Sequence, residues 1–257
     1  MPTVAVAAII VASLVMSSAF AEAVPIPKPA PKVRTDAPRP AAPQTPTGPA
    51  AAAEPPTPII PDLRSLFGGA TTPTFDANQK ALASKVSVYL SSLQNVSGNF
   101  VQVGPDGKRT TGDFYIQKPG KIRFEYDEPN PIALVADGSS VIVRDRRLAT
   151  QDVYPLSQTP LRYLLSDRID LMRDTNVVGV SADDMFVSVT IEEKQTLIGT
   201  SRLMLMIGAK DNQLKQWTVT DPQGYDTTVA VYNLDTTKKL DPNMFRIDYT
   251  NYQTPNN

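Results

Sequence analysis

The 257-residue chain contains neither cysteine nor histidine. These two absences exclude Ser/His/Asp and Cys/His nucleophilic sites, histidine proton relays, thiolate zinc centres and haem held through His or Cys. Charge of one sign is also lacking. Twenty-five Lys and Arg stand against 26 Asp and Glu, a net charge of −1, so no surface built for phosphate backbones and no nucleic-acid partner is implied. Neither calcium-loop spacing nor a glycine-rich phosphate loop occurs, and no cofactor or metal is expected. No hydrophobic run is long enough to cross a bilayer: residues 4–16 are apolar, where a spanning helix takes about 20.

That short run is followed by Ala19-Phe20-Ala21, the small-x-small pattern of a secretory cleavage site. Residues 1–21 therefore read as a signal peptide cleaved after Ala21 or Ala23, although no basic residue precedes the run. The competing reading is an uncleaved anchor. No cysteine follows to be acylated, so the processed protein is expected to be soluble. Residues 22–73 form a proline- and alanine-rich segment, with 13 prolines among residues 22–62. Such a composition cannot bury a core and favours extended polyproline II, which at about 3.1 Å per residue would reach about 120 Å. It is either a tether or a solvated tail without a partner.

Ordered structure is expected over residues 74–250, with 251–257 as a tail. Asp76 followed by Gln79 has the form of a capping box, and Leu82, Val86, Tyr89, Leu90 and Leu93 recur at helical spacing. After this helix the pattern predicts strands at 95–103, 110–117, 121–126, 132–136, 139–144 and 149–154. A helical piece at 160–165 follows, then strands at 185–193, 200–207, 214–220, 225–234 and 244–248. Within residues 110–138, Ile122, Phe124 and Tyr126 share one strand face while Lys121, Arg123 and Glu125 take the other. Met185, Val187, Val189 and Ile191 mark a second apolar face, and Leu203, Leu205 and Ile207 a third. A sheet of ten or eleven strands must curl, split or close. Its greasy side is either an ordinary core or a cavity that short helices fill incompletely; Met204 and Met206, on the opposite parity in a run apolar on both faces, fit either wall or packing.

The order Gly98-x-Phe100-x-Gln102, Gly112-x-Phe114, Lys118-Pro119-Gly120-x-x-Arg123-Phe124-x-Tyr126-x-x-Pro129, Leu134-Val135-x-Asp137-Gly138, Gln151 and Thr159-Pro160-x-x-x-Leu164-Leu165 resembles the periplasmic outer-membrane lipoprotein carriers of the LolA family. The resemblance implies a mainly β fold: an incomplete, strongly curved antiparallel barrel of about 11 strands whose hydrophobic concavity is closed by a helical lid. It further implies a non-enzymatic, monomeric periplasmic chaperone. Its partners would be acylated lipoproteins, the inner-membrane ABC transporter that releases them, and an outer-membrane receptor. A sixteen-carbon chain left in water costs about 12 kcal/mol, which is why such a carrier needs an apolar cavity. The lining is expected from Phe100, Phe114, Ile116, Ile122, Phe124, Tyr126, Leu134, Met185, Val187, Leu203, Leu205 and Trp217, with Leu90, Leu93, Leu161 and Leu164 from the lid.

In the family an arginine before the turn proline bonds the lid; the matching residue here is Lys118, whose ammonium lacks the planar fork of guanidinium. Without the resemblance, Lys118 is a solvated turn lysine, and Arg123 is a surface residue. Members with a longer C-terminal extension pack an extra strand, a feature not carried over to this chain. Two other readings compete. Glu125 and Asp127 on one strand face are paired acids of the kind glycosidases use, although their charged row reads as a solvated surface. A related half-barrel would sense a lipid or lipopeptide without carrying it.

Overall fold

The structure, a computed structural model, describes residues 55–60, 73–195, 199–247 and 249. The expected signal peptide, most of the proline-rich segment and the 251–257 tail lie outside the described residues. The first helix, α1 (Ala77–Ser92), begins as its sequence requires: the Asp76 carboxylate accepts from the Gln79 amide at 2.8 Å, and Gln79 Oε1 accepts from the Asp76 amide at 3.0 Å. This capping box satisfies two amides that the helix itself leaves unpaired. Ala83, Val86, Ser87 and Leu90 form the buried stripe of α1, one residue every three or four.

Eleven strands follow: β1 (Asn95–Val103), β2 (Arg109–Gln117), β3 (Lys121–Tyr126), β4 (Ile132–Asp137), β5 (Ser140–Asp145), β6 (Thr150–Pro155), β7 (Val177–Ala182), β8 (Phe186–Gln195), β9 (Gly199–Gly208), β10 (Leu214–Thr220) and β11 (Asp226–Asp235). Between β6 and β7 lie two single-turn helices, α2 (Leu161–Leu164) and α3 (Leu171–Asp174). All neighbours are antiparallel in one sheet of order β6-β5-β4-β3-β2-β1-β11-β10-β9-β8-β7. The sheet does not close, because β6 and β7 are not paired to each other.

It nonetheless folds back on itself. Phe124 on β3 and Trp217 on β10 are four strand spacings apart, about 19 Å across a flat sheet, yet their ring centroids are 6.2 Å apart. One apolar cluster accordingly runs from Val141 on β5 through Phe100 to Val180 on β7, and includes Leu90, Leu161 and Leu171 from the helices. Gly112 is required by this curvature. A Cβ there would stand 2.0 Å from the Glu125 carbonyl oxygen and 2.9 Å from the Phe100 ring.

The structure departs from expectation in two places. Strand β7 and helix α3 were not expected; Gly179 breaks the β7 pattern, and a register shift accommodates it opposite β8. The strand expected at 244–248 is instead a 3-10 turn over Pro242–Phe245. Asp241 accepts from the Asn243 amide and proline stands in the first turn, which starts a helical turn rather than a strand. Phe245 is thereby buried on the outer side of the sheet, where the Arg123 guanidinium donates to the Met244 carbonyl at 3.0 Å.

Candidate functional site

The inner face is built by strand parity. Phe100, Phe114, Ile116, Ile122, Phe124, Leu134, Leu203, Leu205 and Trp217 are each at most 4% exposed. Tyr126 and Val187 are also buried, and all eleven join the cluster that contains Leu90, Leu93, Leu161 and Leu164. Met185 does not join them. It lies in the turn before β8, is 63% exposed, and its carbonyl accepts from the Ala209 amide. The Asp183 carboxylate takes the Met185 and Phe186 amides, so the strand starts one residue later than alternation suggested.

At the centre the aromatic rings meet edge to face: Phe100 lies 4.9 Å from Phe124 and 5.1 Å from Tyr126, with interplanar angles of 82° and 87°. Beside them is a small cavity lined by Gln102, Phe124, Tyr126, Leu134, Leu161, Trp217 and Val229. It has about 20 Å³ of room for a water centre, enough for one water and far too little for an acyl chain. Gln102 and Val229 were not among the expected lining residues. The signal for Gln102 was its even spacing from Phe100, overridden by its polarity. Its cost is met by the Tyr126 hydroxyl, which donates to Gln102 Oε1 at 2.8 Å. Burial pushes the Tyr126 phenol above its ordinary value, with the Gln102 bond opposing.

The helices over this interior are held from one turn. Lys118 is buried, and its Nζ donates to the Leu90 carbonyl of α1 at 2.6 Å. The Lys118 amide donates to the Gln94 carbonyl at 2.8 Å. Two residues on, the Gly120 amide donates to the Leu165 carbonyl at the end of α2 at 2.9 Å, from a φ of 76° that suits glycine. The turn between β2 and β3 thus reaches α1 and α2 together. Burial lowers the Lys118 pKa to about 8 against the opposing pull of the Asp167 charge. A second fastening joins α2 to β8: the Arg162 guanidinium, packed over the Tyr163 ring, pairs with Glu193. Helix α1 is fixed on its other side by Gln79 Nε2, which donates to the Val180 carbonyl of β7 at 3.0 Å.

The acidic pair reads differently. Glu125 is exposed and bonded to Arg123 at 2.6 Å, and Asp127 accepts from the Thr111 hydroxyl at 2.5 Å, both outside the concavity. Among the described residues no group of acids is placed to hold a metal. Met204 and Met206 form a separate outer cluster with Phe186 and are not part of the inner wall.

The family model for "Outer membrane lipoprotein carrier protein LolA" matches residues 91–248. The outer-membrane lipoprotein carrier protein of Pseudomonas paraeruginosa is 26% identical over 200 residues, 72% of this chain and 94% of that one. Its counterpart from Methylococcus capsulatus is 26% identical over 172 residues, 63% of this chain and 81% of that one. Among solved structures, a putative outer membrane lipoprotein-sorting protein domain from Vibrio parahaemolyticus aligns with 8% identity and a TM-score of 0.41, covering 65% of this chain and 95% of that one. With its matched region taking in all eleven strands, the two single-turn helices and the turn at Lys118, this chain belongs to the LolA family of outer membrane lipoprotein carriers.

Proposed function

We propose that the protein is a periplasmic carrier that takes the acyl chains of lipoproteins leaving the inner membrane and shields them on the way to the outer membrane. The observation that carries this reading is the inner face itself: a continuous aromatic and aliphatic wall under helices that pack on it with an apolar stripe and are positioned by a few polar contacts. Helices held in this way can be lifted without unfolding the strands, because the sheet keeps its own ladder. The cavity is too small for an acyl chain, so cargo entry requires α1 and α2 to move off the aromatic cluster. The twelve lining and four lid residues expected from the sequence, less Met185 and with Gln102 and Val229 added, are the surface offered to acyl chains. An ABC transporter at the inner membrane is the donor in this scheme, and a receptor at the outer membrane the acceptor. Cleavage of residues 1–21 releases the protein into the periplasm.

The test is release of lipoproteins from spheroplasts on addition of the processed protein, with mass spectrometry of what it then holds. A complex with acylated lipoprotein is expected. Bound free lipid or lipopeptide without any release would replace carriage with sensing.

A further inference from the structure

The face of the sheet opposite the helices carries an unexpected burial pattern. Strand pairing places Met206, Gln216, Ala230 and Val101 in one row across β9, β10, β11 and β1, all pointing away from the cavity. They are nonetheless at most 7% exposed. A described segment that reaches this row is residues 55–60, part of the proline-rich region. The Ile59 amide donates to Gln216 Oε1 at 2.8 Å, and Gln216 Nε2 donates back to the Ile59 carbonyl at 2.5 Å. Arg109, on the same outer face at the start of β2, donates through Nη2 to the Pro56 carbonyl at 3.0 Å, and Pro58 is buried.

The chemistry is that of peptide recognition. A primary amide has one acceptor and a donor in the same plane, so Gln216 offers Ile59 what a neighbouring strand would. Proline has no amide hydrogen, which leaves a proline-rich peptide few groups to read: the Pro56 carbonyl and both groups of Ile59 are the ones taken here. The prolines also hold the segment extended before it binds, which lowers the entropy lost on docking.

We propose that the outer face around Gln216 is a second binding site, for an extended proline-containing peptide, and that its resident occupant is residues 55–60 of the same chain. The segment is a strap: it joins the proline-rich region to the carrier domain on the face away from the cavity. The inference is independent of what the cavity holds.

Amide hydrogen exchange on the full chain tests it. The Ile59 amide should exchange at least about tenfold more slowly than an unstructured peptide of the same sequence, and Gln216→Ala should return it to that rate. Arg109→Ala provides a second variant, at an exposed position, and should weaken the same protection severalfold. An Ile59 amide unprotected in the unmodified protein overturns the site. So does protection that survives both substitutions. Protection that fades on dilution, together with a dimer by light scattering, would assign the strap to a second copy and overturn its action in cis.

Discussion

The ammonium of Lys118 donates to the carbonyl oxygen of Leu90 at 2.6 Å, with Lys118 only 8% exposed. The bond joins the β2–β3 turn to the last turn of α1, where the Leu90 carbonyl also accepts from the Leu93 amide at 3.3 Å. It is a single-point contact, made where the LolA resemblance implies an arginine fork.

Lys118→Leu should therefore act on the lid more than on the fold. The variant loses a charge-assisted bond of about 1.5–3 kcal/mol but also removes the cost of burying an ammonium, so the global change in stability should stay within about 1 kcal/mol. Uptake of a hydrophobic fluorophore should rise severalfold with the far-UV spectrum unchanged. Equal uptake by both proteins would show that the bond does not hold the lid.

The same residue predicts a pH dependence. Burial lowers the Lys118 pKa from 10.5 to about 8. Below pH 8 the amine is protonated in folded and unfolded chains alike, and its burial opposes folding. Between about pH 8 and 10.5 the unfolded chain keeps a proton that the folded one has released, so this group's contribution to stability rises with pH through that window. The Tm of the unmodified protein, minus that of Lys118→Leu, should climb from pH 8 to 10.5. A flat difference would contradict it.

Tyr126→Phe removes the donor to Gln102 Oε1 inside an apolar wall, where Gln102 is 7% exposed. An unpartnered buried polar group costs about 1–3 kcal/mol, and replacing both partners by apolar groups is close to neutral. Urea denaturation should show a loss of that size in Tyr126→Phe and recovery of most of it in the double variant with Gln102→Leu. Additive losses would mean that the two side chains are not coupled.

Gly112→Ala places a methyl 2.0 Å from the Glu125 carbonyl oxygen, which belongs to the backbone of β3 and cannot step aside. A loss of about 2 kcal/mol or more is expected. Gly179→Ala is the control: its Cβ would meet Thr190 at 3.6 Å, an ordinary contact, and should change stability by no more than about 0.5 kcal/mol. Similar denaturation midpoints for the two variants would count against the close approach at Gly112.

The boundaries of β1, β3 and β10 were legible from alternation and turn residues, because those signals act between neighbours in the chain. Gln102 was not legible as a lining residue, since its partner Tyr126 is supplied by β3, 24 residues away. Met185 was misplaced by continuing an apolar alternation one residue past its end; the Asp183 carboxylate had already taken the amides that start β8. The strand expected at 244–248 failed because alternation was read across a segment whose local chemistry, Asp241 followed by Pro242, starts a turn.

By itself, the sequence determined the order of ten of the eleven strands, the parity within them and the exclusion of histidine and thiol chemistry, since all of these follow from residue types and their spacing. Only the tertiary structure decided what covers each face. It set Lys118 under α1 rather than in water, brought Phe124 and Trp217 together across four strand spacings, and laid residues 55–60 over Gln216, 157 positions along the chain. Parity says that two faces exist. Which of them is closed, and by what, depends on contacts between segments far apart in sequence, and no local period encodes those.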